Sequence, residues 1–281
     1  MARKRFPVFL MSGRDQKKRK ILEDLDPEGK YQAKALLPFL GKRVIDWVVE
    51  ELRKSQYIGQ IYVLGLSKEE LGIEGLEYIH VETTTDFPEK LYIGLKYLKS
   101  KGIKPEQIVI STSDCPAITI NRINQFMEFL FKRPGYDFVI GVVPEEIAEA
   151  SFPNAKRVVA RFKDYHVFPG ELYALSPSAI EQGYQIIREI HHRRRKRALW
   201  PIIRFIAKKP SVWPLIFKFL LKQATLADGI KIVEKAFNCK ADAIVIPDAG
   251  FGMDMDLTED YYRLQEFVKK TKLIKKIENR T

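Results

Sequence analysis

QIVISTSDCPAIT, Gln107 to Thr119, sets the architecture of this chain. Its apolar, β-branched run Ile108 to Ile110 predicts a buried strand, ended by small polar residues that leave one carboxylate, Asp114, at the C-terminal edge. Open α/β sheets gather their ligands at that edge. Pro116 lacks a backbone donor and stops the strand, so Asp114 is expected in a turn facing a crevice. The next helix reads from near Asn121, too far downstream for Asp114 to be its N-cap.

On either side of this stretch strand and helix patterns alternate. Strands are expected at Pro7 to Met11, Gln60 to Leu64, Glu77 to Val81, Gln107 to Thr112, Asp137 to Val143, Arg157 to Phe162, Glu171 to Leu175 and Ala241 to Pro247. Helices are expected at Arg43 to Lys54, Glu89 to Ser100, Asn121 to Phe131, Ser178 to Ile190, Thr225 to Phe237 and Thr258 to Lys270. In the first helix Val44, Ile45, Val48 and Leu52 recur at helical spacing, as packing on a sheet requires. The fold class is therefore α/β, a doubly wound, mostly parallel Rossmann-like sheet covered on both faces. The rhythm breaks at His191 to Lys222, where Pro201, Pro210 and Pro214 confine any helix to short pieces. We read a single domain over 1–281 with a basic, aromatic helical insertion at 185–236.

The 281 residues are 46% hydrophobic, enough for one large core. Cys115 and Cys239 offer neither a disulfide framework nor paired metal-ligand spacing, which fits a reducing cytoplasm. The N-terminal MARKRFPVFLMSGR is too briefly apolar for a signal peptide and reads as a first strand. Nowhere does the chain reach the ~18 uninterrupted apolar residues of a membrane span. Charge is concentrated: from Gln185 to Lys222 eleven Lys or Arg face one acid, Glu189, so this segment carries +10 of the chain's net +12. A nucleic-acid-binding face is more often spread over the fold, so the excess marks a local device and nucleic acid is not favoured as a partner.

Several elements gather around Asp114. In the turn Ser12-Gly13-Arg14 the glycine permits close backbone approach and free N–H groups can face an anion. An ordinary surface loop is equally open, and neither GxxxxGK[ST] nor GxGxxG is present. Lys34 precedes the apolar run Ala35 to Leu37 and can meet phosphate as a point charge, although most such lysines are simply solvated. In FPEKLYIGLKYL, Leu91, Ile93, Leu95 and Leu98 read as core, with Glu89 and Lys90 at the helix start. Near the C-terminus, FGMDMDLTEDYYRL places Asp254 and Asp256 two apart in an extended segment, on one side, where they can share a divalent cation. Asp256 has a rival role, since Asp256-x-x-Glu259 has capping-box spacing. Asp254 has none.

The order of these motifs, a Gly-Arg loop after strand one, KALLPFLGKRVIDWVVEEL, SDCP and DMDLTEDY, resembles the nucleotidyltransferases of the molybdenum-cofactor guanylyltransferase-like type. These are related to sugar-nucleotide pyrophosphorylases and cytidylyltransferases and share the nucleotide-diphospho-sugar transferase sheet. The likeness runs over Phe6 to Pro177 and Ala241 to Phe267. It implies that Ser12, Gly13 and Arg14 hold nucleotide phosphates, that Lys34 neutralises them, and that Asp114 with Asp254 or Asp256 binds Mg²⁺. The first loop departs from that family in having one glycine where the family has several. The reaction implied is transfer of NMP from a nucleoside triphosphate to a phosphorylated acceptor, a sugar, polyol or lipid-like phosphate, with release of pyrophosphate. A phosphate acceptor needs no general base, consistent with histidines that all lie outside the motifs.

Two rivals stand beside this reading. Asp254-Met-Asp256 reads as an Asp-x-Asp, which suggests a nucleotide-sugar-dependent glycosyltransferase on the same kind of sheet, but in those enzymes the motif resembles the mid-chain site, here Ser113-Asp-Cys115 with a single acid, so nucleotidyl transfer is favoured. A non-catalytic binder of anionic surfaces or nucleic acid would use the basic insertion alone, leaving the carboxylates unexplained. The insertion itself mixes cations with Trp200, Ile203, Phe205, Trp213, Phe217 and Phe219. That composition suits an anionic membrane surface touched by 185–222, peripheral on the inner face, and equally a lid, an acceptor clamp or a homodimer contact.

Overall fold

The computed structural model describes residues 5–14, 20–82, 85–155, 157–184 and 209–278, with side chains as far as Thr271. In chain order the elements are β1 (Phe6–Ser12), α1 (Lys20–Leu25), β2 (Pro38–Phe39), β3 (Lys42–Arg43), α2 (Val44–Arg53), β4 (Ile58–Gly65), α3 (Lys68–Leu71), β5 (Glu77–Ile79), α4 (Phe87–Ser100) and β6 (Ile108–Thr112). There follow α5 (Ile120–Phe131), β7 (Phe138–Pro144), α6 (Glu145–Ser151), β8 (Ala160–Arg161), β9 (His166–Leu175), helical turns at 177–184, α7 (Trp213–Leu220), α8 (Leu226–Phe237), β10 (Ala241–Val245) and α9 (Thr258–Glu278).

The main sheet runs β10-β7-β9-β6-β1-β4-β5, with β8 on β9. Alternate residues of one strand feed opposite faces, as the two-residue period demands. Val8 and Leu10 of β1 and Val109 of β6 join Ile45, Val48 and Leu52 of α2 and Ile123 and Phe126 of α5. On the other face Phe9, Met11, Ile108 and Ile110 meet Leu91, Leu95 and Leu98 of α4. A third cluster, built on Leu37, Phe39, Trp47, Met253, Met255 and Leu264, fastens the C-terminal segment to the β2–β3 hairpin and α2.

The α/β sheet is mixed but mostly parallel: β4, β1 and β6 run parallel, as do β5 with β4 and β7 with β10. β9 is the exception, antiparallel to both β6 and β7. Its entry explains the direction, because β8 turns into it within a few residues, closed by Phe162 N–H donating to the Tyr165 carbonyl at 2.8 Å. A parallel strand would have needed a crossover of a dozen or more residues. Several expected elements change length: the strand at Arg157 to Phe162 contracts to Ala160–Arg161, the one at Glu171 begins at His166, the one at Gln60 runs over Ile58–Gly65, those at Glu77 and Ala241 end at Ile79 and Val245, and the helix at Thr258 runs on to Glu278. The expected helix Ser178 to Ile190 is helical to residue 184, and its remainder, like 185–208 of the insertion, lies outside the described residues. α1, α3 and α6 were not expected, since pieces of seven residues or fewer show too little of a 3.6-residue period, while α7 is a short helical piece of the kind expected in the insertion. Among the described residues no helix is long and apolar enough to cross a membrane.

Candidate functional site

Chain connections leave β1 and β6, neighbours at the centre of the sheet, in opposite directions: from β1 toward β4 and β5, from β6 toward β7 and β10. Their C-terminal ends form the switch point at which α/β sheets open a crevice. Ser12, Gly13 and Arg14 leave β1 there, and Ser113 and Asp114 leave β6 beside them. Ser113 Oγ donates to the Met11 carbonyl at 2.9 Å, tying the two exits together.

Asp114 is buried, not open in a turn: its side chain is 10% exposed, and its carbonyl accepts Met255 N–H at 3.1 Å. That bond brings the C-terminal segment to the switch point. In Met253-Asp-Met-Asp256 both methionines are fully buried while the aspartates face away from the core, the alternation of extended chain. Asp114, Asp254 and Asp256 each offer a carboxylate oxygen within 4.8 Å of the others. Lys34 lies in their midst, Nζ 2.5 Å from both Asp114 Oδ2 and Asp256 Oδ1. A short 3-10 turn, Lys34–Leu36, aims it inward because Ala33, Ala35 and Leu37 on either side are buried. Lys34 is thus no solvated lysine. At the start of α9 the Asp260 carboxylate accepts the Leu257 N–H at 3.0 Å, while the Asp256 carboxylate meets Lys34. α9 is pinned by Tyr261 Oη donating to the Pro38 carbonyl at 2.7 Å and Thr258 Oγ1 donating to Asp24 at 2.6 Å.

The first loop is divided. Ser12 Oγ is fully buried and has no hydrogen-bond partner among the described residues. Against Gly13, Lys90 Nζ lies 2.5 Å from where a Cβ would stand, so the ammonium comes close to the backbone of the first loop. Arg14 does not join the carboxylates; its guanidinium forks onto Glu70 of α3, Nε to Oε1 at 2.9 Å and Nη2 to Oε2 at 2.5 Å.

Three further residues stand at the site: Arg157 and Glu171, which were not singled out in the sequence, and Lys90, which was read there as a helix-start residue. Arg157 pairs with Asp254 through Nη1 and donates from Nη2 to the Asp254 carbonyl at 3.0 Å. Glu171 of β9 accepts from Thr112 Oγ1 at 2.9 Å, and Lys90 has come to Gly13. Glu171 and Arg157 headed expected strands; for Glu171 the signal was a lone charge at the head of an otherwise apolar strand. Burial, then the Asp254 and Asp114 charges, push the Glu171 carboxyl well above the ordinary carboxylate range. Burial, then Asp114, raises Asp254, while Arg157 pulls it back. Burial drives the Cys115 thiol up as well, and its side chain packs in the core with Ile118 and Ile123.

No protein-family model matches the chain, and no curated protein matches it by sequence. Solved structures share its fold. A hypothetical transferase from Thermus thermophilus superposes with a TM-score of 0.71 at 22% identity, covering 92% of this chain and 100% of its own. The CMP:2-keto-3-deoxy-manno-octonic acid synthetase complexed with CTP gives 0.56 at 12% identity, covering 96% and 100%. A cytidylyltransferase from Leptospira borgpetersenii gives 0.53 at 15%, covering 99% and 96%. At these identities the likeness is one of fold, the Rossmann-like sheet on which those nucleotidyl- and cytidylyl-transferring proteins are also built.

Proposed function

We propose that this chain is a Mg²⁺-dependent nucleotidyltransferase that moves NMP from a nucleoside triphosphate to a phosphorylated small-molecule or lipid-like acceptor and releases pyrophosphate. The observation that carries this reading is the convergence of Asp114, Asp254 and Asp256 on one point at the sheet's switch edge, beside a loop with an orphaned serine hydroxyl. The residues fit a metal: all donors are hard carboxylate oxygens, and a cation, the Lys34 ammonium, already sits 2.5 Å from two of them. When bound there, Mg²⁺ would withdraw charge from phosphate oxygens.

The chain's own residues do the rest. Lys34, beside Asp114 and Asp256, is placed to offset charge that builds on departing pyrophosphate. Ser12 Oγ and the Lys90 ammonium at Gly13 are placed for phosphate oxygens entering the first loop. Arg157 keeps the Asp254 carboxylate from turning away, and Thr112 orients Glu171 behind it. No residue is required as a base, because the acceptor phosphate brings its own nucleophilic oxygen. Arg14 supports the loop through Glu70 in this scheme.

The test is a pyrophosphate-release screen of the four ribonucleoside triphosphates against sugar, polyol and lipid phosphates. Asp114→Asn should keep its fold and lose on the order of 10²-fold or more in rate; near-normal turnover would end the assignment. Motif order points to the guanylyltransferase-like branch, whereas solved structures of this fold include cytidylyl-transferring proteins, and the nucleotide screen separates these. The glycosyltransferase reading keeps one observation in its favour, since both aspartates of Asp254-Met-Asp256 face the cluster. It predicts release of nucleoside diphosphate from nucleotide sugars and no pyrophosphate.

A further inference from the structure

We infer that Glu171 selects the acceptor: at the edge of the carboxylate cluster its carboxyl group receives the hydroxyls of a sugar or polyol phosphate, in preference to a phosphate carried on an apolar chain. The inference rests on the nucleotidyl-transfer reading above and narrows its acceptor class.

Each aspartate of the cluster has a cation. Asp114 and Asp256 share Lys34, and Asp254 has Arg157. Glu171 differs: among the described residues its carboxylate forms no ion pair and accepts one hydrogen bond, from Thr112 Oγ1 to Oε2 at 2.9 Å. Burial and the Asp254 and Asp114 charges act against its ionised form, and the more distant Arg157 offsets only part of that. A carboxyl group kept for structure is expected to be ion-paired or fully hydrogen-bonded. Glu171 is neither, and it is not sealed in: it is partly exposed between the buried Gly170 and Leu172. That leaves hydrogen-bonding capacity turned to the crevice for a ligand.

Its place in the sheet says which ligand. β9 flanks β6 on the side away from β1, so Glu171 and the first loop stand on opposite sides of Asp114, about two strand spacings or ~10 Å apart. The pyrophosphate end of the triphosphate is assigned to Ser12, Gly13, Lys90 and Lys34. In-line displacement brings the acceptor to the α-phosphorus from the side opposite the leaving group, which is the β9 side. What enters there must bring hydrogen-bond donors. An alkyl chain would leave the Glu171 carboxyl unpaired and desolvated, and a further anionic group would meet like charge. Hydroxyls suit it best, because they donate to a carboxylate and also accept from a protonated carboxyl, whereas an ammonium requires the ionised form that burial disfavours.

The experiment is calorimetric binding of phosphorylated probes to the full chain with Mg²⁺ and non-hydrolysable α,β-methylene analogues of the ribonucleoside triphosphates. Glucose 1-phosphate, mannose 1-phosphate, inositol 1-phosphate and glycerol 3-phosphate are compared with hexyl phosphate and phosphoethanolamine. The best hydroxylated probe is expected to bind the parent about tenfold to a hundredfold more tightly than hexyl phosphate. Glu171→Ala should bring that ratio close to one by weakening the hydroxylated probe alone, and Glu171→Gln, whose amide still hydrogen-bonds, should keep part of it. Without ligands Glu171→Gln should melt at or above the parent's temperature, because it removes a carboxyl group set against like charge. The inference is overturned by a parent that binds hexyl phosphate as tightly, by Glu171→Ala retaining the ratio, by phosphoethanolamine as the tightest probe, or by a lower melting temperature in Glu171→Gln, the mark of a structural role. Failure of the reaction itself reads differently. Hydroxylated probes that bind through Glu171 while no triphosphate releases pyrophosphate would support the contact and end the transfer reading. Equal pyrophosphate release with hexyl and hydroxylated phosphates would keep the reaction and remove Glu171 from it.

Discussion

Lys34 carries two obligations that pull in different directions. Its side chain is 13% exposed and offsets Asp114, itself 10% exposed, and the half-exposed Asp256. A lysine placed only to meet phosphate would leave the unliganded protein's stability untouched when replaced. This one would not, because removing it leaves a buried carboxylate cluster short of its counter-charge. Lys34→Met is therefore expected to lower the unliganded stability by about 1–3 kcal/mol, at the weak end of a buried pair because Asp256 is solvated. It should slow pyrophosphate release as well. Chemical denaturation without nucleotide checks the first effect, and an unchanged midpoint would return Lys34 to a purely ligand-directed role.

The elements that deliver these residues depend on positions where a side chain cannot be added. Gly65 ends β4 at φ +135°, and a Cβ there would stand 1.9 Å from the Ser12 carbonyl oxygen, which also accepts Leu66 N–H at 2.8 Å. Gly65→Ala should cost more than ~3 kcal/mol and disturb the first loop, read as a fall in melting temperature together with loss of nucleotide-induced shift. The sequence announced β1, β6 and the Met-Asp-Met-Asp alternation through local pattern. It could not announce Glu171 or Arg157 as neighbours of Asp114, because that depends on β9 inserting antiparallel between β6 and β7, a non-local pairing with no signature in either strand. Phe251 shows the same limit: its ring lies where Cβ atoms on Gly141 and Gly170 would be, 2.5 Å and 2.4 Å away, and those glycines let the C-terminal segment seat. The α7–α8 junction carries a pH signature. The Lys218 hydrogen bond, with the Thr225 backbone behind it, holds the Asp228 carboxyl down at about 2 from an ordinary 3.8. A depressed acid stabilises the fold above its unfolded value and loses that contribution as pH falls through the folded one. The stability gap between the parent and Asp228→Asn, which keeps the cap but not the charge, should be constant above about pH 5 and close toward about pH 2. A gap that widened in acid would mean the pair is not formed.

At the scale of the whole molecule the site is a seam between distant parts of the chain. Lys34 and Asp256 are 222 residues apart, Arg157 reaches Asp254 across 97, and Met255 is bonded to Asp114. No sub-fragment holds the carboxylates together, so a ligand that binds them binds the folded domain alone and raises its stability by mass action. At 100 times its Kd a nucleotide adds about 2.7 kcal/mol. At roughly 2–4 °C per kcal/mol for a domain of this size, the melting temperature should rise by about 5–10 °C in a single transition. The rise should need Mg²⁺ together with triphosphate, because the phosphates alone would meet three carboxylates whose counter-charges, Lys34 and Arg157, are already engaged with them. Chelation with EDTA should abolish most of it, and Asp114→Asn should show the EDTA response even in excess Mg²⁺. A shift of equal size with and without metal would place the triphosphate away from Asp114, on the Gly13 and Lys90 side alone. A biphasic melt in which only one phase moved would show that the C-terminal segment docks independently of the sheet.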